Sequence, residues 1–195
     1  MKIYIGALAL ALLAGCQSEG AMLNTDHLKV YENVLETEKE QPTMYEANSV
    51  EEAVESLPFR LRIPTDLPEA YGSFDDVLIS DFKDPDDQQD IGIALTASTE
   101  GRDKKSIAIF AADFELVDFE QLIKHSNEIK LSGGQKAYYS ASSNKEEKDF
   151  QSPSVYWMKD GVLHEISHAG SGDNSEQIKE LLMDLASQMI QGDSG

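Results

Sequence analysis

The chain has few cysteines, few basic residues and no long apolar segment, and each scarcity excludes a class of protein. Cys16 is the only cysteine in 195 residues, so an intramolecular disulfide is impossible. The apolar run at residues 3–13 is shorter than the ~20 residues that a membrane-spanning helix needs. Lys and Arg number 16 against 36 Asp and Glu, a formal net charge of −20. A balance this acidic argues against binding to nucleic acid or to anionic lipid headgroups, because both need a basic surface.

The first sixteen residues show three features in a fixed order. Lys2 precedes the apolar run, which ends in Leu13-Ala14-Gly15-Cys16 and resembles the lipobox of bacterial lipoproteins. The resemblance implies that residues 1–15 are a signal peptide and that Cys16 is diacylated. The residues after Cys16 are polar and weakly patterned, so we assign residues 16–48 to a lipid anchor and tether that includes one short helix or strand at 27–35. Inserted acyl chains contribute ~0.8 kcal/mol per buried methylene, which makes such an anchor firm. We therefore expect the protein on the outer face of a cell membrane, with Cys16 as its lipidation site.

Residues 49–191 have the patterns of one α+β domain. Ser49 and Glu52 form a capping box before a short amphipathic helix, and residues 175–190 repeat apolar side chains at helical spacing. Alternating apolar residues predict strands or extended pieces at 59–63, 74–82, 91–98, 105–114, on both sides of Gly133-Gly134, and in a hairpin over 154–167. Turn-rich loops connect them. We expect an antiparallel sheet of about six or seven strands, with the N-terminal short helix and the C-terminal amphipathic helix packed on one face.

The stretch His164-Glu165-Ile166-Ser167-His168 matches H-E-x-x-H, a zinc metalloprotease motif when it is helical. Asp160-Gly161 before it is a strong signal for a two-residue hairpin turn. The resulting register places Trp157 opposite His164, so we predict that the stretch is the return strand and that the two rings stack. Same-face residues four apart on a strand are separated by ~13 Å, too far for two imidazoles to share a zinc ion. A zinc-dependent hydrolase is therefore the alternative and not the preferred function.

An acidic loop is the other candidate site. Residues 81–90 include five aspartates, and calcium prefers carboxylate oxygens. The spacing departs from D-x-D-x-D-G, and no glutamate stands twelve residues from its start, so an exposed acidic hairpin loop is the simpler interpretation. Whether the loop binds a divalent cation stays open. No catalytic, cofactor-binding or metal-binding residue is assigned from the sequence.

Three segments in order resemble a bacterial domain family of unknown function. They are Ile63-Pro64-Thr65-Asp66-Leu67-Pro68-Glu69-Ala70-Tyr71, a tryptophan hairpin from Trp157 to Ile166, and a closing helix with Ala186-Ser187 near its end. That family occurs at the extracytoplasmic C-terminus of Gram-positive lipoproteins and of anti-sigma-factor-like membrane proteins. The resemblance covers residues 50–190 and departs at Ala70, where glycine is common. It implies a non-enzymatic binding, sensing or regulatory module of the cell envelope, with an envelope protein as a candidate partner.

Overall fold

The computed structural model describes residues 22–31, 42–83, 89–101, 104–114, 118–141, 152–170 and 174–191. Within these residues the fold is α+β, with one antiparallel sheet and three α-helices. In chain order the elements are β1 (Lys29–Val30), β2 (Thr43–Glu46), α1 (Val50–Ser56), β3 (Asp76–Lys83), β4 (Gln89–Ser98), β5 (Ser106–Ala112), α2 (Phe119–Ile123), β6 (Asn127–Lys130), β7 (Lys136–Ser140), β8 (Ser154–Lys159), β9 (Val162–Ala169) and α3 (Ser175–Ile190). No helix in these ranges is long and apolar enough to cross a membrane.

The sheet consists of two meanders joined at its centre. Its order is β1-β2-β3-β4-β5-β9-β8-β7-β6, and every pair of neighbours is antiparallel. The junction is the pairing of β5 with β9, in which Ile109 lies opposite Ile166. Because β9 follows β5 by about fifty residues of chain, this pairing is the long-range contact that unites the two halves.

One face of the sheet forms the core. Ile91, Ile93, Leu95 and Ala97 of β4 are all completely buried, as the alternation of strand side chains predicts. Helix α3 covers β8 and β9 on this face. Its buried residues recur at helical spacing and are Ile178, Leu182, Leu185, Ala186 and Met189. The predicted amphipathic helix is therefore confirmed. Asn174 caps it, since its Oδ1 accepts a hydrogen bond from the Glu176 N–H at 2.9 Å.

The first helix begins at the predicted cap with one change of partner. Ser49 Oγ accepts a hydrogen bond from the Glu52 N–H at 3.2 Å. The Glu52 carboxylate accepts from the backbone N–H of Asn48 at 2.7 Å and from its amide at 2.8 Å, one residue before the usual partner. These bonds lower the pKa of Glu52. Ala53 is then buried against the core.

The predicted strand at residues 59–63 is wrong. Leu61 is buried and Arg60 and Arg62 are exposed, so the alternation exists, but the segment joins no strand. The residues just after this segment form hydrogen bonds with α3 instead. Gln188 Oε1 accepts hydrogen bonds from the backbone N–H groups of Thr65 and Asp66, both at 3.2 Å. A side chain of the helix thus replaces a neighbouring strand as the hydrogen-bond partner.

The strand count of six or seven is also wrong, since the described residues form nine strands. The two additional strands, β1 and β2, lie in the region assigned to the tether at 16–48. β2 pairs with β3, with Tyr45 opposite Ile79, and Tyr45 packs against the core. Both strands precede residue 49, at which the domain was predicted to begin. β1 lies within residues 27–35, where the sequence left one short helix or strand open. β2 is short and weakly patterned, so periodicity does not identify it.

Candidate functional site

The β8–β9 hairpin carries the residues of interest. Asp160 and Gly161 have φ of 52° and 82°, the positive values that a type I′ turn requires at both central positions. The register pairs Lys159 with Val162, and Trp157 with His164. Both the turn and the register are as predicted, so the local sequence specifies this hairpin.

The H-E-x-x-H stretch is extended, as we predicted. His164 and His168 lie on the core face of β9, and Glu165 lies on the opposite face, where its carboxylate accepts a hydrogen bond from Ser154 Oγ at 3.0 Å. Two same-face positions four apart on a strand are ~13 Å apart, so the imidazoles do not converge. Among the described residues no cluster of three or more His, Cys, Asp or Glu side chains could hold a metal ion. The geometry offers no support to the zinc hydrolase alternative.

His164 is a buried neutral imidazole. Its ring stacks on the Trp157 indole with centroids 5.0 Å apart and planes 5° from parallel, as the register predicted. The residue is 6% exposed, and Nδ1 has no hydrogen-bond partner in the part of the chain that the structure describes. Burial, reinforced by the positive charge of Lys159, lowers the pKa of His164 to about 4. A buried polar atom without a partner costs free energy, so its retention calls for an explanation.

His168 has a different environment. It is 1% exposed, and its Nε2 is hydrogen bonded to the Tyr71 hydroxyl at 2.7 Å. Tyr71 closes a short 3₁₀ turn, Glu69–Tyr71, and is the last residue of the Ile-Pro-x-x-Leu-Pro-x-x-Tyr segment. This bond ties that loop to the centre of the sheet, which gives both residues a structural role.

A cleft opens beside His164. Its volume is about 1080 Å³, and it is bordered by the end of α1 with the segment after it, by the β8–β9 hairpin and by α3. Its apolar lining residues are Val54, Leu57, Pro58, Phe59, Leu61, Trp157, Val162 and Met189. Ligand sites in proteins are concave and mostly apolar, with a few polar groups, and typically measure ~300–1,000 Å³. The cleft is slightly larger than this range, and its lining combines apolar side chains with several polar and charged ones.

The charged residues of the cleft are mainly basic. Arg60, Arg62 and Lys159 line it together with one acid, Asp160. Three of the 16 basic residues of the chain thus line one cleft in a molecule with a net charge of −20. Arg62 is held by a hydrogen bond from its guanidinium to the Gln191 carbonyl oxygen, 3.1 Å away at the end of α3. Arg60 is exposed and makes no hydrogen bond or ion pair with any described residue.

Sequence reasoning predicted the stacking of Trp157 on His164, but it assigned neither these residues nor the arginines to a binding site. It assigned Arg60 and Arg62 to the solvent face of a strand, because they alternate with Phe59, Leu61 and Ile63. The available signal was their rarity, since only three arginines occur in the whole chain. Two of them within three residues of each other, in an acidic protein, could have been noted as a candidate anion-binding pair.

Part of the acidic loop at residues 81–90 lies within the described chain. Residues 84–88, with three of its five aspartates, lie outside it. Asp81 is buried on the core side of β3. Nearby, the Asp113 carboxylate accepts a hydrogen bond from the Ile91 N–H at 2.7 Å, and burial raises the pKa of Asp113. Cation binding by residues 81–90 stays open.

Cys16, the signal peptide at 1–15 and the first part of the tether also lie outside the described residues. Comparison of the chain with protein-family models, curated proteins and solved structures finds no match. The lipidation site and the resemblance to the envelope domain family therefore stay predictions.

Proposed function

We propose that this protein is a lipid-anchored extracytoplasmic lipoprotein, held on the outer face of a cell membrane through Cys16. Its α+β domain is a binding or regulatory module of the envelope and not an enzyme. The leader with its Leu13-Ala14-Gly15-Cys16 ending supports the anchoring. One observation supports the binding role above all: a cleft of about 1080 Å³ is lined by buried His164, whose Nδ1 has no hydrogen-bond partner among the described residues.

The separation of His164 from His168 supports a role without chemistry. Catalysis of acid–base or metal-assisted type needs groups that converge on one reacting atom. On β9 the two histidines and Glu165 diverge, with Glu165 on the opposite face of the sheet. A site made of an apolar wall, three basic residues and a neutral imidazole is suited to holding a ligand.

The anchoring is tested with Cys16→Ser. The wild-type chain is expected in the membrane fraction, digestible by protease added to intact cells, with an acylated Cys16 detected by mass spectrometry. Cys16→Ser is expected to lose the acyl group and to leave the membrane fraction or to retain its leader. An unmodified Cys16 in the wild-type protein would contradict the proposal.

The binding role is tested by filling the cleft. Leu57 is half-buried in its wall, and Leu57→Trp adds a ring there. Leu78→Trp is the matched control, because Leu78 is half-buried on the other face of the sheet. Proteins purified from membranes are extracted and analysed by mass spectrometry for small molecules that purify with them. We expect a molecule present with the wild type and Leu78→Trp and absent with Leu57→Trp. Identical extracts from all three would refute a ligand role for the cleft.

A further inference from the structure

The accessible walls of the cleft suit an alkyl chain. Trp157, Val162 and Met189 are only 1%, 5% and 6% exposed, so they leave little surface for a ligand, and the Trp157 indole already stacks on His164. The more accessible apolar lining is half-buried Val54, Leu57 and Phe59. Apolar contact with these side chains is non-directional, which suits a flexible chain.

The basic residues of the cleft suit an anion. An isolated small anion approaching a chain of net charge −20 meets overall repulsion, whereas the charged lining of the cleft is mainly basic. Arg62 is positioned by its bond to the Gln191 carbonyl, whereas exposed Arg60 makes no hydrogen bond or ion pair with any described residue. A guanidinium binds phosphate or carboxylate through two parallel hydrogen bonds. Arg60 is therefore the side chain best placed to bind an anionic headgroup at the mouth of the cleft.

We propose that the cleft binds a single-chain amphipathic anion, a molecule with one phosphate or carboxylate headgroup on an alkyl chain. The headgroup bonds to Arg60, with Arg62 and Lys159 in the same lining, and the alkyl chain lies against Val54, Leu57 and Phe59. Both parts are needed, because the net charge of the chain opposes an anion that has no apolar contacts and the cleft is open to water. This inference rests on the proposed function, since it names the ligand class of the same site.

The test uses the only tryptophan of the chain, Trp157, as its reporter. The full chain carrying Cys16→Ser is titrated with four dissolved probes below their aggregation thresholds, and Trp157 fluorescence is followed. The probes are decyl phosphate, decanol, inorganic phosphate and decyltrimethylammonium. Decyl phosphate is expected to give a saturable change, and decanol to bind about tenfold or more weakly, a difference of at least ~1.4 kcal/mol. Inorganic phosphate and the cation are expected to give no saturable response.

Two charge-reversal variants distinguish the effect of a headgroup site in the cleft from the effect of the net charge of the protein. Arg60→Glu is expected to weaken decyl phosphate at least tenfold and to leave decanol unchanged. Lys104→Glu makes the same charge change at an exposed lysine that does not line the cleft, and it should leave both affinities unchanged. Both sites are exposed, so both variants should fold, which circular dichroism checks. Lengthening the alkyl chain should strengthen binding by up to about fourfold per buried methylene until the cleft is filled.

Several outcomes would overturn the inference. Equal affinity for decanol and decyl phosphate would mean a purely apolar cavity, and an unchanged affinity in Arg60→Glu would remove the headgroup site. A further titration uses vesicles of anionic phospholipid, and a response to them but not to dissolved decyl phosphate would mean that the cleft faces a membrane surface. If no probe binds but Leu57→Trp still loses its co-purifying molecule, the ligand class is wrong and the binding role survives. If both tests fail, the ligand role of the cleft fails together with the ligand class.

Discussion

Lowering the pH from 7 to 5 is expected to destabilise the fold through His164. The imidazole is 6% exposed, and its pKa in the folded protein is lowered from 6.5 to about 4. Burial is the main cause, the positive charge of Lys159 adds to it, and Asp160 opposes it weakly. In the unfolded chain the same imidazole regains its ordinary pKa, because it is hydrated again.

The sign follows from proton counting. Between pH 6.5 and about 4 the unfolded state binds a proton at His164 that the folded state does not, so the free energy of unfolding falls as the pH falls. At 1.36 kcal/mol per pKa unit, the full effect of moving from 6.5 to about 4 is roughly 3 kcal/mol. About 2 kcal/mol of this is lost by pH 5. For a domain with a typical stability of ~5–15 kcal/mol, such a loss is readily measurable.

The measurement compares the Cys16→Ser chain with and without His164→Phe. Phenylalanine keeps a ring that can stack on Trp157 but has no proton to bind. Urea unfolding at pH 7 and pH 5, followed by circular dichroism, gives the free energy of unfolding of each protein. Other groups with a shifted pKa, such as Asp113 and Glu165, are present in both proteins. Their contributions to the pH dependence of the free energy of unfolding therefore cancel when the two proteins are compared.

The expected result is a loss between pH 7 and pH 5 that is about 2 kcal/mol larger with His164 than with phenylalanine. At pH 7 His164→Phe should be equally stable or more stable by ~1 kcal/mol, because it removes a buried polar atom that has no partner. Parallel losses in the two proteins would refute the argument, since they would mean that His164 is hydrated or paired in the folded state.

Three further variants test the fold, each by urea unfolding at pH 7. Gly161→Val should cost ~1–2 kcal/mol, because Gly161 has φ of 82°, and an unchanged stability would argue against the type I′ turn. Tyr71→Phe should cost ~1–3 kcal/mol by leaving His168 Nε2 without its 2.7 Å partner, and no loss would mean that water replaces the hydroxyl. Leu182→Ala should cost ~2–5 kcal/mol, since Leu182 is completely buried. The control Leu181→Ala, at a half-buried site, should cost less, and equal losses would contradict the orientation of α3.

Local sequence patterns correctly predicted the elements whose stabilising contacts lie between residues close in sequence. The Asp160-Gly161 turn fixes the register of β8 and β9, and every predicted pair from Lys159 with Val162 outward is present. The spacing of apolar residues in α3 identified the helix, because a 16-residue segment offers several full turns of evidence. In these elements the physical cause acts within a few residues, so the sequence alone reveals it.

Segment 59–63 shows where periodicity misleads. Alternating burial is necessary for a strand, but a strand also needs a neighbour that accepts and donates backbone hydrogen bonds. After Pro64 the chain runs beside α3, and Gln188 takes the N–H groups of Thr65 and Asp66. No pattern within the segment predicts that Gln188 is the hydrogen-bond partner, because this residue lies more than 120 positions away along the chain.

Local patterns predict that His164 lies on a strand opposite Trp157 and that the two rings stack. Composition alone reveals the acidic balance that makes several basic residues in one cleft notable. The burial and the neutral state of His164, and the presence of Arg60, Arg62 and Lys159 in the lining of the same cleft, depend on the tertiary structure. Burial and charge clustering depend on which distant segments pack together, here the segment after α1 and the β8–β9 hairpin, about one hundred residues apart in the chain.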